Sequence, residues 1–192
     1  MYYEVELQDY VRVPPSSFDL STEESILKTL NNRFKNFILR DLGLVVAVSE
    51  IKSVGEGVII PGDGAAYFDT AFKVITFKPE VQEVILGKIS DITDFGAFMN
   101  IGAIDGMIHV SQTMDDYVSF SKAKVLSGKE TKRTLKVGDE CRARIIAVSY
   151  KELFNPKIGL TMRQPWLGSL SWIKDDLKKQ EKAVVKEGKA KK

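Results

Sequence analysis

Apolar and polar positions alternate along residues 2–13, where Tyr3, Val5 and Leu7 stand against Glu4 and Glu6. A period of two predicts a half-buried strand, and Pro14-Pro15 ends it because proline has no amide proton for a ladder. The period then changes. Ile26, Leu27, Leu30, Phe34, Phe37 and Ile38 recur at helical spacing. Ser21 followed three residues later by Glu24 forms a capping-box start, and Gly43 supplies a stop. Together they predict a helix from about Thr22 to about Asp41. "LVVAVSEIKSV" follows as an apolar, β-branched strand. "GEGVIIPGDGAAYFDTAFKVITFKPE" reads as strand, turn at Gly62-Asp63-Gly64, and strand. The first part of the chain is thus expected to be a small α+β unit, with Lys78-Pro79-Glu80 at its boundary.

From Val84 the texture becomes all-β. "VILGKISDIT", "AFMNI", "GMIHV", "ECRARIIAVS" and "KIGLTM" are short strand candidates with few helical signals between them. Such a set predicts a five-stranded barrel of the oligonucleotide-binding (OB) kind. The polar stretch from about Ser111 to Gly138 is expected to hold a short helix and a mobile loop. Leu170, Ile173 and Leu177 form a stripe, so a helix is expected to start near Ser169, with Trp166 and Trp172 as packing anchors. From Lys178 onward, seven lysines stand against two glutamates; this tail is expected to fray or be disordered. The domain reading is an α+β docking domain over 1–81, a barrel over 82–165, a packing helix over 166–178 and a lysine-rich tail over 179–192.

The segment "TDFGAFMNIGAIDGMIHVSQ" concentrates chemistry. Gly102–Gly106 reads as a hairpin connection with Ile101 opposite Gly106. Asn100 would then face Met107, and Phe98 would face His109. Alternation sends Met99, Ile101, Ile108 and Val110 to the other face, a wholly apolar set suited to a barrel core. Phe98 and His109 are left side by side outside, with Phe95 leaning over them from the Asp94–Gly96 turn. Bases of single-stranded nucleic acid stack on such exposed aromatics. Arg142 and Arg144 share one face of the fourth strand and, with Lys88, could contact phosphates. The plainer alternative puts Phe95 and Phe98 in the core and makes His109 an ordinary surface residue.

Composition removes other classes. The chain has 192 residues, enough for one large or two small domains, and its 44% hydrophobic and 28% charged content is that of an ordinary soluble protein. No stretch approaches the roughly 18 apolar residues of a membrane helix. The acidic start MYYEVELQDY lacks a signal-peptide layout. A cytoplasmic location without membrane contact is expected. One cysteine, Cys141, and one histidine cannot build the usual Cys/His zinc site. "GEG" and "GDG" lack the Lys-Ser/Thr of a phosphate loop. Asp115-Asp116 could hold a metal, but adjacent acids in a polar loop are usually solvated. Spacing leaves a Ser/His or Cys/His nucleophile pair open, but no supporting elbow or third partner is visible; the expectation is of no catalytic residue, metal or cofactor. Charge is unevenly spread. Residues 1–81 carry 8 basic and 12 acidic side chains, residues 82–163 carry 12 and 10, and residues 164–192 carry 8 and 4. Only the back of the chain could attract nucleic acid by itself, whereas the acidic front and its apolar run "LVVAVSEI" suit protein docking.

"GKISDITDFGAFMNIGAIDGMIHVSQ", "VGDECRARIIAVS" and "IGLTMR", in that order, resemble the S1 domain, an RNA-binding barrel. With "PGDGAAYFDTAFKVITFKPEVQEVILG", "IHVSQTMDDY", "SGKET" and "LTMRQPWLG", essentially residues 1–175 resemble the archaeal E-prime family of RNA polymerase subunits, whose eukaryotic counterparts include the seventh subunit of RNA polymerase II. The resemblance implies a non-catalytic stalk protein. Its truncated ribonucleoprotein-like domain would dock on the polymerase core subunits. Its barrel would bind the single-stranded nascent RNA, aiding initiation and processivity. A helical stalk partner, the archaeal F subunit, would complete a heterodimer. Carried over by position, stacking falls on Phe95, Phe98 and His109, and basic help on Lys88, Arg142 and Arg144. Met107 stands where many S1 domains have leucine or valine, and the tail after about Lys178 has no counterpart in the family. The alternatives are an S1-bearing accessory subunit of an RNA-degradation or translation complex, and a stand-alone RNA-binding protein.

Overall fold

The computed structural model describes residues 1–35, 37–121, 123–150 and 156–190. The chain divides into two compact units, one spanning Met1–Pro79 and the other beginning at Glu80. In chain order the first holds β1 (Tyr2–Val13), α1 (Thr22–Phe34), β2 (Ile38–Leu39), β3 (Gly43–Ile59) and β4 (Ala66–Phe77). The strands form one antiparallel sheet ordered β1-β4-β3-β2. The capping box is formed: the Ser21 side chain accepts from the Glu24 amide and the Glu24 carboxylate accepts from the Ser21 amide, each at 3.3 Å. Helix α1 lays Ile26, Leu30 and Phe34 on Val11, Val13, Val45, Val48, Phe72 and Val74, which is the core of this unit.

Two expectations for this unit change. The helix stops at Phe34, not near Asp41, because Ile38 and Leu39 pair with Leu44 and Gly43 instead. The Val45 amide also donates to the Phe37 carbonyl at 2.9 Å, and Gly43 turns the chain at φ +84°. Phe37 and Ile38 therefore fit a helical period by coincidence of spacing. The two strands expected on either side of Gly55-Glu56-Gly57 are one strand, β3, of 17 residues. Its register against β4 shifts at four points, so the extra residues are taken up as bulges rather than as a turn. The expected turn at Gly62–Gly64 is present. The Asp63 carboxylate there accepts from Arg12, Tyr67 and the Ala65 amide, and Arg12 above all holds it well below the usual carboxylate range.

The second unit holds β5 (Val84–Ile92), β6 (Gly96–Asn100), β7 (Asp105–His109), β8 (Val118–Ser121), β9 (Val125–Gly128), β10 (Thr134–Lys136), β11 (Glu140–Ser149), β12 (Lys157–Thr161), β13 (Gly168–Ser169) and α2 (Leu170–Ala190). The main sheet runs β12-β7-β6-β5-β11-β13, and β12 also pairs with β11, so five strands close into a barrel with β13 attached to β11. Ile89, Ile92, Ala97, Met99, Ile108, Ala143, Ile145, Ile158 and Leu160 are buried inside it. This is the closed OB barrel expected from the strand pattern. Among the described residues, no helix is long and apolar enough to cross a membrane.

The polar stretch after the third barrel strand differs from expectation. It opens with a single 3-10 turn at Val110–Gln112 and then builds a three-stranded antiparallel sheet, ordered β10-β9-β8. Leu126 and Leu135 lie opposite each other in this sheet and are fully buried. Strands of three or four residues hold too few alternations to register as a period. Asp116 secures the loop. Its carboxylate accepts from the Glu130 and Thr131 amides and from the Thr131 hydroxyl at 2.7–3.2 Å. Asp115 points elsewhere, to Arg163 at 2.8 Å, so the adjacent acids do not converge. Among the described residues, no group of three or more His, Cys, Asp or Glu side chains could hold a metal ion.

Trp172 is an anchor, buried and donating its indole N–H to the Thr134 carbonyl at 3.2 Å. Trp166 is not: it is 49% exposed and adopts φ +66°. Of the expected stripe, Ile173 is buried and Leu177 is exposed. The helical backbone continues to Ala190, well past the expected break near Lys178; Lys191 and Lys192 lie outside the described residues.

Two predictions test this framework. Ile108→Ala should lower stability by about 2–5 kcal/mol as a core truncation. Phe95→Ala should cost no more than about 1.5 kcal/mol, the value of its edge–face contact with Phe98. Urea midpoints read both, and comparable losses would reject the inside–outside assignment. The hydrogen bonds from Thr131 push the Asp116 carboxyl down to about 2, below its ordinary unfolded value near 3.9. Its contribution is present above that ordinary value and is lost as pH falls toward the folded one. Asp116→Asn should therefore be less stable than the parent at neutral pH, with the gap closing between about pH 4 and pH 2. A gap that stays constant over that range would refute the role given to Asp116.

Candidate nucleic-acid interface

The β6–β7 hairpin sets the site. Its register places Gly96 opposite His109, Ala97 opposite Ile108, Phe98 opposite Met107, Met99 opposite Gly106 and Asn100 opposite Asp105. The expected register, with Ile101 opposite Gly106 and Phe98 opposite His109, is therefore off by two residues. The β-strand period is also two, so the slip changes neighbours without changing faces. Ala97, Met99 and Ile108 point inward and are fully buried, and Ile101 is buried beyond the strand end. Val110 does not join this inner face, because the chain leaves β7 at His109 and enters the 3-10 turn.

Phe98 is half-buried on the outer face, and His109 is exposed on the same face, two pairs further along the hairpin. Phe95 is 47% exposed in the turn between β5 and β6. Asp94 accepts from the Phe95 amide at 3.0 Å, and the Phe95 carbonyl accepts from the Val110 amide at 2.9 Å, so the turn is fixed to the end of β7. The Phe95 and Phe98 rings meet edge to face, their centroids 6.0 Å apart. The His109 Nδ1 accepts from the Ser111 amide at 3.3 Å. The same nitrogen lies 2.9 Å from the Ser111 hydroxyl, so Ser111 occupies Nδ1 and Nε2 is the nitrogen left for a ligand. An aromatic edge–face pair with a ring nitrogen nearby can stack a base and hydrogen-bond its rim.

The basic residues expected to assist are not all brought to this surface. Asp91 lies directly opposite Phe98 and Lys88 opposite Asn100, so Lys88 is three residues from the platform, about 10 Å along the strand. Arg142 and Arg144 share the outer face of β11, opposite Leu86 and Val84. They are thus five and seven residues up β5 from Asp91, about 17 and 23 Å. The Arg144 Nε is buried without a hydrogen-bond partner among the described residues.

The structure adds a residue that sequence reasoning missed. Lys124, at the turn before β9, donates to Asp91 at 2.7 Å and so reaches the edge of the platform. This bond first, and the Ile92 amide second, lower the pKa of Asp91. The only hint in the sequence was the polar character of the whole Ser111–Gly138 stretch.

Comparisons with known proteins agree with this geometry. Residues 8–64 match the family described as "SHS2 domain found in N terminus of Rpb7p/Rpc25p/MJ0397", and residues 78–153 match the "S1 RNA binding domain". The DNA-directed RNA polymerase subunit Rpo7 of Saccharolobus solfataricus is 39% identical over 175 residues, covering 90% of this chain and 97% of that protein. Its namesake from Sulfolobus acidocaldarius is 36% identical over 183 residues, covering 95% and 100%. The DNA-directed RNA polymerase III subunit RPC8 of Saccharomyces cerevisiae is 34% identical over 114 residues, covering 59% and 54%.

Proposed function

The chain belongs to the Rpo7 family of DNA-directed RNA polymerase subunits, and from that premise we propose that it holds single-stranded transcript on the Phe95–Phe98–His109 surface of its barrel. It is a stalk subunit of the polymerase, and its S1 barrel is a fold suited to RNA. The observation that carries the reading is the division of the hairpin: its inner face is filled by aliphatic side chains, while an aromatic pair is left outside. Each stacked base contributes roughly 1–3 kcal/mol, and Lys88 adds a phosphate contact beside the platform. Catalysis belongs to the polymerase core, with this chain supplying binding and positioning. A polymerase subunit works in the cell interior, here the cytoplasm.

Arg142 and Arg144 lie farther along the same outer face, where a longer transcript would meet them. Their neighbours Val84 and Leu86 are 46% and 61% exposed, and exposed aliphatics beside cations also suit a protein partner. That end of the barrel is our candidate contact for the helical stalk partner, the F subunit. For docking on the core, support shifts within the first unit. Much of the run "LVVAVSEI" serves its own fold, with Val45 and Val48 buried. Val46 of that run is exposed, and the most exposed aliphatic cluster of the unit is Val58, Ile59 and Ile60 at the β3–β4 turn, our candidate for the core-docking tip.

Phe98→Ala combined with His109→Ala should weaken binding of a fluorescent oligouridine by about 1–3 kcal/mol for each base unstacked. Fluorescence anisotropy reads it, and an unchanged Kd would reject the platform. Affinity should fall as salt rises, with a log–log slope near −0.7 per phosphate contacted; a flat response would remove Lys88 from that role. Affinity purification of the native protein should recover polymerase subunits, whereas recovery as a free monomer would favour a stand-alone RNA-binding protein.

A further inference from the structure

The β8–β10 sheet does more than fill the gap between the third and fourth barrel strands. Between it and β5 lies an open hollow of about 540 Å³, lined by Ser90, Asp91, Lys124, Val125, Lys136 and Val137. Its wall is fixed to the barrel by the Gly138 amide on the Ile89 carbonyl and the Ile89 amide on the Asp139 carbonyl, each at 2.9 Å. Lys88 passes the same turn, its Cε 3.9 Å from where a Gly138 side chain would begin. Two lysines, Lys124 and Lys136, thus line the hollow, with Lys88 at the neighbouring turn, and among the described residues Lys88 and Lys136 form no ion pair. Two of the acids nearby are already engaged, and the third sits beside a lysine. Asp91 accepts from Lys124, Asp139 accepts from the Lys136 amide at 2.8 Å, and Glu140 lies opposite Lys88 in the sheet.

Asp91 is the informative member. It stands opposite Phe98 on the outer face, so an uncovered carboxylate there would repel a polyanion reaching the platform. Lys124 covers it. We propose that this hollow is a phosphodiester subsite of the RNA path, in which Lys124 and Lys136 take the backbone phosphate of a nucleotide stacked at Phe98, and Asp91 holds Lys124 in place until RNA arrives. The proposal rests on the platform reading above and goes beyond it by assigning the strand's backbone a side of the barrel.

Anisotropy titrations of the full chain with fluorescent oligouridine at several salt concentrations test it. Lys124→Ala with Lys136→Ala should weaken binding about tenfold at low salt and make the salt slope shallower by about 1.4, two contacts at 0.7 each. Lys124→Arg with Lys136→Arg should retain binding. Asp91→Asn should bind at least as tightly as the parent. Phe98→Ala serves as the reference. If it loses binding while the double alanine variant keeps the parent affinity and slope, the platform stands and the subsite fails. If Phe98→Ala also binds normally, the platform reading itself fails. If the double alanine variant keeps RNA binding but no longer recovers polymerase subunits, the hollow is a contact for an acidic protein segment and the proposal is overturned. Circular dichroism of each variant, matched to the parent, excludes misfolding as the source of a loss.

Discussion

Closure of the barrel is the constraint on which the second unit depends. Strand β12 lies parallel to β7 and antiparallel to β11, so the five-stranded ring leaves none of its own strands unpaired. Closing it requires β7 and β12 to approach closely, and Gly106 makes room: a side chain there would collide with Leu160. Once the ring is closed, every residue on these strands is either inside or outside. The inside has space only for aliphatic and small side chains, and they fill it. Phe98 and His109 are outside for that reason. The ring surface they leave in water is a loss for the free protein that a stacked base can recover.

This explains which parts of the molecule could be read from the chain. Inside and outside were legible at Met99, Ile108, Phe98 and Arg142 because a two-residue period fixes faces whatever the register. Neighbours were not legible: Phe98 meets Met107, not His109, since hairpin loop length is set by turn geometry that Gly102–Gly106 does not announce. The start of α1 was written in Ser21 and Glu24. Its end was hidden, because Phe37 and Ile38 continue the helical period while their backbone joins a strand. The β8–β10 sheet escaped because strands of three or four residues carry no usable period. Lys124 escaped with it, although it touches the site through Asp91. Distance along a strand was equally silent. Arg142 and Arg144 face the expected way, yet the pairing with β5 carries them far from Phe98.

The two units divide the electrostatic labour. On the outer sheet face of the first, Lys73 lies between Glu4 and Glu50, at 3.5 and 2.9 Å. The charge of Lys73 is thus compensated, consistent with the acidic balance of residues 1–81. Exposed pairs of this kind contribute little to stability. In the second unit the balance tips the other way, with Lys88 and Lys136 unpaired among the described residues.

The long ladder between β1 and β4 also bears on how the protein is made. Tyr2 pairs with Phe77, and Val13 with Ala66. The first strand to be synthesised therefore finds its hydrogen-bonding partner only when the last strand of its unit has emerged. Contacts of such sequence separation are slow to form. Until then α1 has only a partial core to pack against, and a long, tyrosine-bearing strand edge stays open to other chains. Completion of the first unit's sheet thus waits on β4, whereas the β5–β6–β7 meander pairs residues close in the chain.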